Sequence, residues 1–139
     1  MAKEQSHTGL MVEIHSKVGN NLSAEDWNKL NTSAGNSFTK VRENFLWAGQ
    51  CRESETRRFF RVKLELIASS LGEWKFIARN TGKDQHMFER CIKKIYQLTK
   101  TSRILYRWEE LEKLLPDNHH LMPEVARKIK EIKASKKKK

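Results

Sequence analysis

The chain has 139 residues, a net charge of +11 and 37% apolar residues, among them four Trp and six Phe, enough to bury a core in one domain. It contains no run of eighteen apolar residues, and no apolar stretch follows Met1-Ala-Lys-Glu-Gln-Ser6, so neither a membrane span nor a secretory signal is expected. The charge is segregated. Residues 1–56 carry six Lys/Arg against seven Asp/Glu, a net of −1; residues 57–139 carry twenty-two against ten, a net of +12; Arg127–Lys139 alone carries +7. A neutral front and a basic back point to a polyanion partner or a nuclear address rather than acid–base catalysis.

Both prolines, Pro116 and Pro123, lie near the C-terminus, which favours an all-α fold. Leu10, Met11, Ile14 and Val18 form a first amphipathic set ended by Gly19-Asn20-Asn21. Ser23 with Asp26 resembles a capping box. Trp27, Leu30, Ala34, Phe38, Val41 and Phe45 then recur at spacings of 3, 4, 4, 3 and 4, a helical stripe that 31–37 is poised to divide and Gly49 to stop. Residues 59–71 alternate at Phe60, Val62, Leu64 and Leu66, yet Phe60, Leu64, Ile67 and Leu71 also fit a helix. An isolated strand cannot satisfy its backbone, so a helix is expected, with Gly72 as the junction to a short helix over Trp74, Ile77 and Ala78.

From Lys83 to Lys100 the amphipathic pattern is clearest. Met87, Phe88, Cys91, Ile92, Ile95 and Leu98 share one arc, and His86, Arg90, Lys93, Lys94, Gln97 and Lys100 the opposite one. Ile104, Trp108, Leu111 and Leu115 follow at spacings of 4, 3 and 4 up to Pro116. Pro123 opens a last helix whose Val125, Ile129 and Ile132 face inward. The expected fold is a compact bundle of five to seven helices in a single domain over 1–133, with a neutral half 1–56 and a basic half 57–133. A disordered lysine tail is expected over 134–139.

No glycine-rich phosphate loop occurs, and Cys51 and Cys91 are expected to be reduced thiols without a neighbouring CxxC. His119 and His120 are adjacent, which suits a turn with two solvated histidines better than a metal site. The expectation is therefore a protein that is not an enzyme and has no cofactor, metal, membrane contact or small-molecule substrate.

The basic residues suggest what the chain binds. Lys83, Arg90, Lys93, Lys94 and Lys100 fall within roughly 120° of a helical wheel, and Arg103 and Arg107 extend the patch. Such a face gains affinity for nucleic acid, DNA or RNA, by releasing counterions, with little sequence preference. Tyr96 and Tyr106 are the aromatic residues near it that could stack on bases. Lys136, Lys137, Lys138 and Lys139 fit either phosphate contact or a nuclear-import signal, the alternative being a cytoplasmic protein. A rival reading is a protein–protein or self-associating module. Phe45, Leu46 and Trp47 cannot all face one core, so an exposed Trp47 beside Leu46 would be an interface anchor.

From Leu64 to Trp108 the chain resembles a death-domain bundle. Leu64 and Leu71 would sit on the first helix, Trp74-x-x-Ile77-Ala78-Arg79 matches a W-x-x-L-A-R opening of the second, and Ile104-Leu105-x-x-Trp108 resembles the end of the fourth. That resemblance covers about a third of the chain, leaves 1–56 unexplained and runs short after Trp108; it implies a non-enzymatic adaptor. The same stretch is similar to half of a Myb-type repeat, with Phe59 or Phe60 for the first Trp, then Trp74, Ile77-Ala78 and Arg90-Cys91. It implies DNA reading by a helix in a groove.

Overall fold

The computed structural model describes residues 6–137, without the side chain of Lys137. Eight α-helices occur among them: α1 His7–Val18, α2 Ala24–Ala34, α3 Phe38–Gln50, α4 Ser54–Ile67, α5 Leu71–Arg79, α6 Gln85–Thr99, α7 Leu105–Leu114 and α8 Met122–Lys137. The all-helical expectation holds, but eight helices exceed the expected five to seven. The chain stops and restarts at dedicated caps. Ser6, Ser23, Ser37, Ser70 and Asp84 each accept from the amide three residues on, and Gly19 and Gly35 end α1 and α2 at positive φ. Five of the helices thus start on a side-chain cap of their own, whereas α4 and α7 start without one.

Three boundaries differ from the sequence reading. The helix expected over 59–71 begins earlier, at Ser54, and ends at Ile67; Ser70 then opens α5 through a capping box with Glu73, and Gly72 lies inside α5 rather than at the junction. Leu64 and Leu71, one helix in the death-domain comparison, therefore lie on α4 and α5. Gly49 does not stop α3; it lies inside the helix, where a Cβ would sit 3.1 Å from Arg57 Nη1. Lastly, 134–137, expected to be disordered, continue α8. Ala and Lys are good helix formers, and cations suit the negative end of the helix dipole, so this turn needs no burial. Lys138 and Lys139 lie outside the described residues.

The chain divides into two compact units, Met1–Ala68 and Ser69–Lys139. The division falls after α4, so the cationic Arg57, Arg58, Arg61 and Lys63 belong to the first unit. Phe59 and Phe60 also lie there, whereas Trp74 lies in the second, which separates the residues aligned in the Myb comparison.

In the first unit the whole stripe Trp27, Leu30, Ala34, Phe38, Val41 and Phe45 is buried, with Phe60 and Leu64 of α4. Trp27 is the hub, its ring 6.0 Å from Trp47 and 6.1 Å from Phe60. Polar pins connect the helices. Asn44 Nδ2 donates to the Leu30 carbonyl oxygen, Lys63 Nζ donates to Asn31 Oδ1 at 2.6 Å, and Trp47 Nε1 donates to Asn20 Oδ1. His7, buried at the start of α1, has Nδ1 3.2 Å from Ser33 Oγ and Nε2 3.7 Å from Glu43 Oε2. Burial holds its pKa below the ordinary value against the pull of Glu43, while Lys40 also lowers it.

In the second unit α5 packs on α6 and α7 on α8. Trp74, Ile77, Met87, Cys91, Ile92, Ile95, Trp108, Leu111, Leu115, Val125 and Ile129 are buried. Trp108 is fully buried and its Nε1 donates to the Ser102 carbonyl oxygen at 2.9 Å, anchoring the α6–α7 connector.

Two outcomes are expected. Because the folded His7 takes a proton less readily than the unfolded one, the stability that it contributes is complete above the unfolded pKa of about 6.5. That contribution is lost as pH falls from there through the lowered folded value. Urea midpoints measured across this window should fall with pH, and His7→Gln should remove part of the slope. Trp108→Phe leaves the Ser102 carbonyl without its donor and should cost roughly 1–3 kcal/mol, read from the same denaturation curves.

Candidate nucleic-acid interface

On α6, burial of Met87, Cys91, Ile92 and Ile95 turns Arg90, Lys93 and Lys94 to solvent, with Lys83 just before the helix and Lys100 at its C-cap also exposed. Phe88 is half-buried and Leu98 exposed, so the apolar arc is narrower than the sequence suggested. The acids of this segment are engaged elsewhere: Asp84 caps the helix by accepting from Met87 N, and Glu89 meets His119. Among the described residues, Lys83, Lys93, Lys94, Lys100, Arg103 and Arg107 have no carboxylate within ion-pair distance. What α6 offers to solvent is therefore predominantly positive.

The connector and α8 add a second cationic element. A cleft of about 290 Å³ is lined by Ser102 and Arg103 from the connector and by Lys128, Glu131, Ile132, Ser135 and Lys136 from α8. The α8 residues follow at spacings of 3, 1, 3 and 1, one face of a helix. Arg103, from the expected basic face, and Lys136, from the expected tail, thus share one concavity. Sequence reading missed Lys128, Ser102 and Ser135 as members; the i, i+4, i+8 relation of Lys128, Ile132 and Lys136 was the available signal, hidden by the assumption of disorder. The side chain of Lys137, with Lys138 and Lys139, lies outside the described residues.

The two tyrosines differ. Tyr106 is 64% exposed. A hydrogen bond with Glu110 pushes its hydroxyl pKa up, and Lys75 Nζ lies 5.7 Å from its ring centroid. Tyr96 is half-buried and donates to Glu124 Oε1 at 2.8 Å, so its hydroxyl ties α6 to α8.

Other candidate groups have structural partners. His119 is buried, not solvated as expected. The Leu121 amide donates to its Nδ1, which puts the proton of the neutral ring on Nε2, 3.0 Å from Glu89 Oε2. His120 stacks on it at 4.4 Å, and ligating atoms of Glu89, His119 and His120 lie within 4.8 Å of one another. With both ring nitrogens of His119 engaged, the arrangement is a hydrogen-bonded clasp between α6 and the α7–α8 connector. Neither Cys51 nor Cys91 forms a disulfide, and burial pushes the Cys51 pKa up, against the demand of a nucleophile.

In the first unit the outward member of Phe45-Leu46-Trp47 is Leu46, 44% exposed. Trp47 is only 6% exposed, which corrects the expectation of an exposed Trp anchor. Its indole must reach Asn20 and Trp27, and that requires an inward orientation. Its edge still lines a groove of about 520 Å³ with Met11, Val12, His15, Glu43 and Leu46. No helix of the described residues is long and apolar enough to cross a membrane. No family model, curated protein or solved structure matches this chain.

Proposed function

We propose that the second unit is a non-enzymatic nucleic-acid-binding module that contacts DNA or RNA through the α6 face, the α6–α7 connector and the basic α8. The observation that carries this reading is the one-sidedness of α6. Its cations are exposed, while its carboxylates serve a cap and a histidine clasp. Like charges held on one rigid face repel each other and cost stability, and a polyanion relieves that repulsion while releasing counterions. Counterion release carries no sequence information, so affinity without strong sequence preference is the expectation. A nuclear location is the setting that fits the lysine-rich C-terminal segment.

Titration of fluorescent DNA and RNA at two salt concentrations tests the proposal. Binding should weaken steeply with salt, and Lys93→Glu/Lys94→Glu should weaken it further with little change in melting temperature. Affinity no better than that of an unrelated protein of equal charge would remove the proposal.

A second reading, a protein-docking or adaptor role, has support in the α1–α3 groove of the first unit. Val12 and Leu46 are exposed at its edge, and its lining carries few charges. In this reading Leu46→Asp should abolish capture of a protein partner or concentration-dependent sedimentation while leaving the fold intact. A Leu46→Asp chain with unaltered association in both measurements would exclude this groove as the docking surface.

A further inference from the structure

We infer that the cleft between the α6–α7 connector and α8 is a seat for one phosphate group. This deepens the nucleic-acid reading by naming where a backbone phosphate is gripped, and it rests on that reading for the source of the phosphate.

Three cations converge on the cleft. Arg103 comes from the connector, Lys128 and Lys136 from α8 two turns apart. Arg103 and Lys136 pair with no carboxylate among the described residues. The acid in the lining, Glu131, is already engaged: its Oε1 accepts from Arg127 Nη1 at 2.6 Å, and Lys128 Nζ stands 3.9 Å from its Oε2. Arg127, which is not among the lining residues, therefore offsets that negative charge. The lining keeps a positive balance after this pairing.

Hydroxyls complement the cations. Ser102 Oγ accepts from the Ile104 amide at 3.1 Å, which leaves its own O–H to donate, and Ser135 contributes a second hydroxyl from α8. The connector does not have to be ordered by a ligand, because Trp108 already holds the Ser102 carbonyl and the Ser102 amide donates to the Thr99 carbonyl oxygen at 2.8 Å. A guanidinium fork, two ammonium groups and two hydroxyl donors suit the several acceptor oxygens of a tetrahedral phosphate better than the two of a carboxylate. A volume of about 290 Å³ lies at the small end of ligand sites and accommodates a phosphate with part of its ester group. The phosphate could be a diester of a nucleic-acid backbone or a free phosphate, and the test separates the two.

Backbone amide shifts of the full chain would be followed while sodium phosphate replaces sodium chloride at constant ionic strength. Binding of a labelled oligonucleotide would be measured in parallel as a function of salt. Both would be repeated with Arg103→Met/Lys128→Met and with Lys93→Met/Lys94→Met, all of exposed or half-buried residues, after circular dichroism shows unchanged helicity. Phosphate should move the amides of Ser102, Arg103, Ser135 and Lys136 in the parent and in the Lys93/Lys94 variant but not in the Arg103/Lys128 variant. The latter should flatten the salt dependence of oligonucleotide binding by roughly 0.7–0.9, the one phosphate contact that the seat supplies. Absence of phosphate-specific shifts in the parent chain would overturn the seat, whatever the variants do. Oligonucleotide binding with an unchanged slope in the Arg103/Lys128 variant would overturn the seat as a backbone contact and leave the α6 reading standing. Phosphate shifts at these residues without any oligonucleotide binding would establish a seat for free phosphate and overturn the nucleic-acid reading.

Discussion

The hydrogen bond from the buried Trp108 indole to the Ser102 carbonyl is the constraint on which the second unit depends. Ser102 lies in the connector past the end of α6, where no helical ladder supplies a donor to its carbonyl and an unpaired oxygen beside the buried Trp108 would be expensive. The indole meets that need while its ring fills the centre of the unit, 6.3 Å from Tyr96. One side chain therefore ties the connector to the start of α7. Arg103 is carried on that connector, and Arg107, next to Trp108 in sequence, is turned outward because its neighbour is turned in.

The cationic surface is the geometric complement of this core. Cys91, Ile92 and Ile95 are buried, so Arg90, Lys93 and Lys94 must emerge. A surface of this kind opposes folding, since the cations repel one another across distances comparable with the Debye length. The fold offsets that with burial of large apolar side chains and with local use of its acids. Glu73 shows the pattern at the start of α5, where donation from the Ser69 and Ser70 amides holds its carboxyl below the ordinary range. Acids spent at caps and clasps stabilise helices and leave Lys93 and Lys94 without a carboxylate within ion-pair distance among the described residues.

The first unit solves a different problem with the same means. Its core is aromatic and its helices are fastened by buried or half-buried polar pins: His7 to Ser33, Asn44 to Leu30 and Lys63 to Asn31. Two guanidinium groups, of Arg57 and Arg61, lie over the Phe45 ring at 4.5 and 5.8 Å from its centroid. Positive charge that composition alone would count toward a polyanion surface is here part of α3–α4 packing.

Periodicity and caps are local properties, and they were legible in the sequence. The stripe from Trp27 to Phe45, the Ser23–Asp26 box, the buried arc Met87–Cys91–Ile92–Ile95 and the exposure of the α6 cations all follow from residues within a few turns of one another. The start of α5 was legible in principle, through Ser70 and Glu73, but Ile67 and Leu71 continued the apolar pattern across the junction. Other features belonged to the tertiary structure, because they depend on partners far along the chain. Whether Leu46 or Trp47 faced inward was decided by Asn20 and Trp27, which supply the indole with a hydrogen bond and a ring contact. Glu89, thirty residues away, made His119 a buried clasp instead of a solvated turn residue. The path of α8 against the connector placed Lys136, read from sequence as part of a loose tail, in one cleft with Arg103. Spacing along a helix tells which residues share a face, but what that face meets is set by packing between helices.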